Sequence, residues 1–235
     1  FFATTTSSTD GNLTGLLPTG ATMGANDMWL LHTDAAGNIL WSKLVGGSGA
    51  EESAVLYAHG GSIYMGMGTN SADRDVQVNL GLNDIALFKY NTAGTLQWKK
   101  QYASGAWDQL GDIVGLNGDM LTLTGGNYSY TFAGYPMPPA DERMMIFRID
   151  TLNGIIQWMK AFGGSGRSQG NAISINNNGE LFVSGLSTNT SGDIYANLGG
   201  YDAVAVAFAG GNRITGTVFV DANNNTIENI HFIGL

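Results

Sequence analysis

The sequence predicts an all-β protein, a β-propeller of four-stranded antiparallel blades, about four in number. Three observations predict it: one stretch that recurs along the chain, a fixed alternation of strands and turns inside each copy, and a composition suited to turns. The first copy runs from Asn26-Asp27-Met28-Trp29-Leu30-Leu31 through Gly37-Asn38-Ile39-Leu40-Trp41 to Gly46-Gly47-Ser48-Gly49. The second runs from Asn83-Asp84-Ile85-Ala86-Leu87-Phe88 through Gly94-Thr95-Leu96-Gln97-Trp98. The third runs from Arg143-Met144-Met145-Ile146-Phe147 through Gly154-Ile155-Ile156-Gln157-Trp158 to Gly163-Gly164-Ser165-Gly166. A fourth opens at Tyr201-Asp202-Ala203-Val204 and then departs. Trp41 to Trp98 spans 98 − 41 = 57 residues, and Trp98 to Trp158 spans 158 − 98 = 60. Such a period marks a solenoid, a propeller or an array.

Each copy divides into four strands. Strand a follows the Asp and alternates, with Met28, Leu30 and His32 on one face and Trp29, Leu31 and Thr33 on the other. Strand b surrounds the Trp. Strand c is Ser53–Tyr57, Gly111–Leu116 and Asn171–Ile175, and strand d is Ile63–Thr69, Met120–Thr124 and Leu181–Ser187. Turn signals separate them: Ala36-Gly37-Asn38, His59-Gly60-Gly61-Ser62, Asn117-Gly118-Asp119 and Asn176-Asn177-Asn178-Gly179. Four antiparallel strands per copy make a propeller blade, so the blades are placed at about 27–69, 84–126, 143–187 and 202–235 of one domain. The fourth copy has a strand b at Ile214–Val220 and a strand c at Asn229–Ile233, but no strand d. Phe1–Thr6 has the pattern of a strand d. The expectation is that this N-terminal strand pairs with Asn229–Ile233 and closes the last blade, removing open edges. Its abrupt start reads as a processed form or an excerpt of a longer protein. The alternative is a propeller over 1–212, or a slice of one, with 213–235 opening a second β module.

Composition excludes several functions. The chain has 235 residues, 35 Gly, 4 Pro and a net charge of −9 with only 10 Lys+Arg. No basic surface exists to neutralise phosphates, which argues against nucleic acid and against anionic membranes. With no Cys, disulfides, thiolate metal sites and cysteine nucleophiles are excluded. No apolar run approaches the ~18 residues of a membrane span, so no membrane insertion is expected.

The candidate chemistry is sparse. Trp41, Trp98 and Trp158 recur at one blade position, which suits packing between blades over sugar stacking. Trp107 reads as lying outside the repeat, beside Asp108, and the two are the candidate ligand contact. Asp27, Asp84 and Asp202 precede strand a, where short carboxylates accept backbone N–H bonds. Asp221, Asn223 and Asn225 alternate as in the first half of a calcium loop, which needs hard oxygen ligands. Thr226 replaces the usual Gly and Phe232 stands at the twelfth place, so calcium and a plain Asn-rich turn are both carried; no other cofactor is expected. Asp73, Asp75 and Asp193 lie in the long d–a loops as possible cation ligands without evident partners. Glu51, Glu52, Asp108 and Asp112 fall near b–c loops, where a glycosidase carboxylate pair is conceivable. His32, His59 and His231 share no ligand spacing, and Gly-Gly-Ser-Gly lacks the Lys and helix of a phosphate loop.

The landmarks Asp84…Gly94-Thr95-Leu96-Gln97-Trp98 and Gly163-Gly164-Ser165-Gly166 resemble the propeller repeats of large secreted and cell-surface proteins of the Bacteroidota, many exported by the type IX route. The resemblance covers roughly residues 1–210, with departures at Arg143 and at Ser104-Gly105. The tail Gly216–Thr226 is similar to the opening of calcium-binding β-sandwich modules of bacterial adhesins. The resemblance implies an extracellular or cell-surface, non-catalytic module for adhesion, assembly or binding of proteins or glycans. Strand exchange with a neighbour is a further route to assembly. A secreted glycan-active hydrolase or lyase on the same scaffold is the alternative.

Overall fold

Two of the four strand types carry apolar residues on both faces, and those two pair with each other. Strand d of the first copy reads Ser62-Ile63-Tyr64-Met65-Gly66-Met67-Gly68-Thr69, and strand a of the second reads Asp84-Ile85-Ala86-Leu87-Phe88-Lys89-Tyr90-Asn91. Residues 63–69 and 84–88 are all buried. A strand that must be covered on both faces belongs mid-sheet, whereas strand b, with Lys43, Lys99, Lys100 and Lys160, tolerates an edge.

The computed structural model describes residues 1–17, 21, 23–116, 118, 120–137, 141–193, 200–208, 215–221 and 230–234; at 116, 215–221 and 230–234 it describes the backbone alone. The protein is all-β. In chain order the strands are β1 (Phe2–Thr6), β2 (Asp27–Thr33), β3 (Ile39–Val45), β4 (Glu51–His59), β5 (Ser62–Thr69), β6 (Asp84–Asn91), β7 (Leu96–Tyr102), β8 (Asp108–Leu116) and β9 (Met120–Asn127). There follow β10 (Thr131–Phe132), β11 (Tyr135–Pro136), β12 (Arg143–Asp150), β13 (Ile156–Phe162), β14 (Ser168–Ile175), β15 (Leu181–Ser187), β16 (Asp202–Phe208), β17 (Thr215–Asp221) and β18 (Ile230–Gly234). A 3-10 turn covers Gly11–Leu13. Among the described residues no helix is long and apolar enough to cross a membrane.

The sheets are antiparallel, in the orders β1-β2-β3, β4-β5-β6-β7, β13-β12-β9-β8 and β14-β15-β16-β17-β18, with β10-β11 as a separate ribbon. Each full sheet therefore joins strands c and d of one copy to strands a and b of the next. The expected blades 27–69, 84–126 and 143–187 each straddle two sheets, so their boundaries are corrected: the second sheet spans 51–102. The reason is the double-faced burial of d and a, which places them side by side at the centre.

The expected closure is corrected as well. Phe2–Thr6 pairs with Asp27–Thr33, in the register Phe2↔Leu31 to Thr6↔Asp27. The strand expected to receive it, Ile230–Gly234, pairs with β17 instead. β1 does behave as a strand d, since it takes the same place beside strand a that d takes elsewhere. The first sheet thus has three strands and the last has five.

Two compact units divide the chain, Phe1–Gln109 and Leu110–Leu235. In the first, Met28, Leu30, Val45, Ile63, Met65, Met67, Phe88 and Tyr90 form a continuous buried cluster. In the second, Met144, Ile146, Phe162, Ile173, Val183, Val204, Val206 and Phe208 do the same. At about 25 cal/mol per Å² of apolar surface, such side chains contribute roughly 1.5–3 kcal/mol each on burial.

The three recurring tryptophans occupy one register. Trp41 lies opposite His32, Trp98 opposite Lys89 and Trp158 opposite Arg148, and a register shift follows each pair. All three are half-buried. The Trp41 indole N–H donates to the Thr92 carbonyl at 3.0 Å, Trp98 lies 6.1 Å from the Tyr64 ring, and the Arg148 guanidinium sits 5.2 Å from the Trp158 ring.

Candidate functional site

The Gly-Gly-Ser-Gly turns connect strand b to strand c, and their backbone N–H groups have no strand to pair with. The long d–a loop supplies the acceptors. In the first copy Gly46 N donates to Asp75 Oδ2 (3.1 Å), Ser48 N to Asp73 Oδ1 (2.7 Å), Gly49 N to Ser71 Oγ (2.9 Å) and Ala50 N to Asn70 Oδ1 (2.6 Å). Asp75 N returns a bond to Gly46 O at 3.1 Å. The third copy repeats the device. Gly163 N donates to Asp193 Oδ2 (3.3 Å), Gly166 N to Asn189 Oδ1 (2.6 Å) and Arg167 N to Thr188 Oγ1 (2.9 Å). Glycine is required by the close approach: a Cβ at Gly164 would lie 1.8 Å from the Ser191 carbonyl oxygen, and one at Gly47 2.3 Å from the Ser71 Cβ. Asp73, Asp75 and Asp193, expected as cation ligands, are thus acceptors for turn amides. Sequence reasoning missed this because each pair is brought together only by the fold.

Beneath the first turn two carboxylates meet. Asp27 and Glu51 are both fully buried. A Cβ at Gly46 would lie 2.3 Å from Glu51 Oε2 and 2.4 Å from Asp27 Oδ1, so both oxygens converge on that glycine. Glu51 Oε1 accepts from Thr69 Oγ1 at 2.8 Å and Ser71 Oγ at 2.6 Å. Asp27 Oδ2 is paired with the Arg74 guanidinium at 2.9 Å. Burial pushes the Glu51 carboxyl up to about 7, against the pull of its hydroxyl partners. A protonated Glu51 adds no further buried charge beside the Asp27 side chain. In the second copy Asp84, raised by burial, accepts from Leu80 N at 2.7 Å. The expectation that these carboxylates accept backbone N–H bonds holds for Asp84; Asp27 is instead paired with the Arg74 side chain. Asp202 also opens its strand.

Trp107 and Asp108 belong to the repeat, which corrects the reading of Trp107 as outside it. A parallel bridge joins Asn26 to Ala50, Asn83 to Trp107 and Glu142 to Arg167. Ala50, Trp107 and Arg167 are therefore one position, just before the polar residue that opens strand c. Trp107 is 38% exposed. Asp108 is fully buried; it accepts from Ser104 Oγ at 3.0 Å, and its N–H donates to the Asn83 carbonyl at 2.7 Å. The structure keeps Trp107 available for a ligand and makes Asp108 a fastener.

The carboxylates weighed as a glycosidase pair stand in unlike surroundings. Glu51 and Asp108 are sealed, Glu52 is exposed, and Asp112 accepts from Ile113 N at 2.8 Å and Ile173 N at 3.0 Å. Among the described residues no group of three or more His, Asp or Glu side chains is placed to hold a metal. Asn223 and Asn225 lie outside the described residues, and Asp221 is described only as the backbone end of β17. A cavity of about 190 Å³ lies between β6, β7 and the 75–77 loop, lined by Phe88, Lys99 and Gln101 among others. Its polar lining is used internally: Lys99 Nζ donates to Asp75 O at 2.7 Å, and Gln101 Oε1 accepts from Gln77 N and Val78 N.

In the second unit the repeat departs, and a different cluster stands there. The Tyr128 hydroxyl donates to Glu142 Oε2 at 2.8 Å. The Arg167 guanidinium lies 5.7 Å from the centre of the Tyr128 ring, with the Tyr201 hydroxyl as a neighbour that favours its charge. The buried Arg143 guanidinium lies 5.0 Å from the Tyr130 ring. Burial and the Glu142 carboxylate push the Tyr128 phenol up to about 12, and burial raises Glu142. Sequence reasoning missed this cluster. Its signal was Arg143 standing where the other copies have Asp. Comparison with known proteins returns no match, either to a family model or to a curated protein.

Proposed function

We propose that this chain is a non-catalytic extracellular module of an exported bacterial surface protein, serving adhesion, assembly or binding of proteins or glycans. In this reading the sheets are blades of a β-propeller, and the module presents its loops to partners. One observation carries it: the buried carboxylates at the strand entries are used to fasten loops, while the equivalent bridge position changes from a half-buried Ala50 to an exposed Trp107 and an exposed Arg167. A rigid frame with one variable position suits recognition better than catalysis. The repeat's resemblance to surface-protein arrays supports the extracellular setting.

The test is a screen of the intact chain against a panel of plant, algal and microbial polysaccharides. Both retention and release of reducing ends are measured. Retention without release is expected. Release of reducing ends that disappears in Glu51→Gln or Asp108→Asn would establish the glycan-active hydrolase instead. A panel giving neither retention nor release would remove the glycan part of the proposal.

A further inference from the structure

We propose that Tyr128, Arg167 and Tyr201 form a binding site for a carboxylated saccharide of the uronic-acid type. This deepens the glycan-binding reading above and rests on it. Three observations converge on these residues, all in the second unit.

The first is exposure. Tyr201 is 60% exposed, whereas most aromatic side chains among the described residues are packed into the sheets. An exposed aromatic ring with its hydroxyl matches a sugar ring, which has an apolar face and a polar rim. None of the three side chains is aliphatic, so the patch lacks the apolar core of a protein interface.

The second is the guanidinium. Arg167 is exposed, yet it is held in place. Its backbone N–H is fixed by Thr188 Oγ1 at 2.9 Å, its charge lies over the Tyr128 ring, and the Tyr201 hydroxyl stands beside it. The remaining N–H donors of this planar fork suit a carboxylate, which it can take in two parallel bonds. Glu142 is a positioning residue: its Oε2 holds the Tyr128 hydroxyl and so keeps that ring beneath the guanidinium.

The third is place. Arg167 occupies the position that holds Ala50 and Trp107 in the other copies, on the same backbone bridge. The frame is common to all three, and only the side chain differs. That difference puts one fixed positive charge among tyrosines in a chain of net charge −9. Long-range attraction to a polyanion is absent, so recognition must come from the short-range fork. Binding therefore weakens only modestly between low and physiological salt.

The experiment is affinity electrophoresis of the intact chain in gels containing polygalacturonate, alginate, fully methyl-esterified pectin or dextran. Retardation by polygalacturonate or alginate is expected, with at least tenfold weaker retardation by the esterified polymer and by dextran. Arg167→Gln and Tyr201→Ala should each weaken binding at least tenfold, Arg167→Lys less, and Leu152→Ala, an exposed side chain outside the cluster, not at all. Unchanged urea midpoints show that the variants are folded. Unchanged retardation of Arg167→Gln, or equal retardation by acidic and neutral polymers, overturns this site while leaving a glycan-binding module standing. No retardation by either acidic polymer overturns the site too; the wider reading falls only if the polysaccharide screen is also blank.

Discussion

Glu51→Gln should change stability with a sign that depends on pH. In the folded chain the Glu51 carboxyl is raised from 4.5 to about 7, chiefly by burial, with Asp27 as its acidic neighbour. Its folded value exceeds its unfolded one, so the native state holds a proton that the unfolded chain has released. The stabilisation is complete below pH 4.5 and is lost as pH rises through 7. At about 1.4 kcal/mol per pH unit, the loss amounts to at most about 3 kcal/mol. The groups facing Glu51 are Asp27 from β2, Thr69 and Ser71 at the end of β5, and the Gly47 amide of the turn at a long 3.4 Å; Arg74 reaches it only through the other oxygen of Asp27. A glutamine keeps the acceptor for both hydroxyls and offers Asp27 an N–H permanently. At pH 8 Glu51→Gln is therefore expected to be more stable than the parent by about 1–3 kcal/mol, and at pH 5 within about 1 kcal/mol of it. Urea unfolding of both proteins at several pH values between 5 and 8 measures this. A variant destabilised equally at all pH values would show that Glu51 folds as an ionised acceptor, and the raised Glu51 carboxyl would be refuted.

Gly164→Ala, which drives a Cβ to 1.8 Å from the Ser191 carbonyl oxygen, should cost about 1–3 kcal/mol, whereas Gly105→Ala, with nothing within 4 Å, should stay within about 0.5 kcal/mol in the same denaturation assay. Asp75→Ala removes the acceptor of the Gly46 amide; a loss of about 1–2 kcal/mol and faster hydrogen exchange at Gly46 are expected. Arg148→Met should lower stability by about 0.5–2 kcal/mol and change Trp158 fluorescence, since it removes the cation above that ring. If Asp221, Asn223 and Asn225 form a plain turn, melting temperatures in calcium and in EDTA should coincide; a rise with calcium would favour the calcium loop.

Strand positions were legible because each strand is marked by its own residues: Gly-bounded runs, alternation at Met28 and Leu30, and the Trp of strand b. Which strands share a sheet was not legible from the period. A repeat has no marked beginning, so a-b-c-d and c-d-a-b give the same spacing. The deciding signal lay in the charges. Strand d at Ile63–Thr69 and strand a from Asp84 to Phe88 carry no Lys or Arg on either face, while strand b carries Lys43, Lys99 and Lys160. Weighing both faces of each strand, instead of one, would have placed d beside a. The amide–carboxylate contacts at the turns stayed hidden for another reason: Ser48 and Asp73, or Gly166 and Asn189, are far apart in the chain and meet only once the sheets form.

The same comparison of copies explains why the departures are informative. Asp27, Asp84 and Asp202 open strand a, so an acidic residue there satisfies whatever the frame requires. Arg143 at that position is fully buried, and burying a guanidinium is costly enough that the surroundings must compensate. They do so locally: Tyr130 lies over it, Glu142 precedes it, and the β10–β11 ribbon adds chain that the first copy lacks. A substitution that demands such rebuilding in one copy, while the bridge at Glu142 and Arg167 keeps the geometry of the others, separates two constraints on the same segment. The backbone bridge is kept by the fold, while the side chains it carries differ: Trp107 and Arg167 are exposed, and the buried Arg143 is accommodated by its own surroundings.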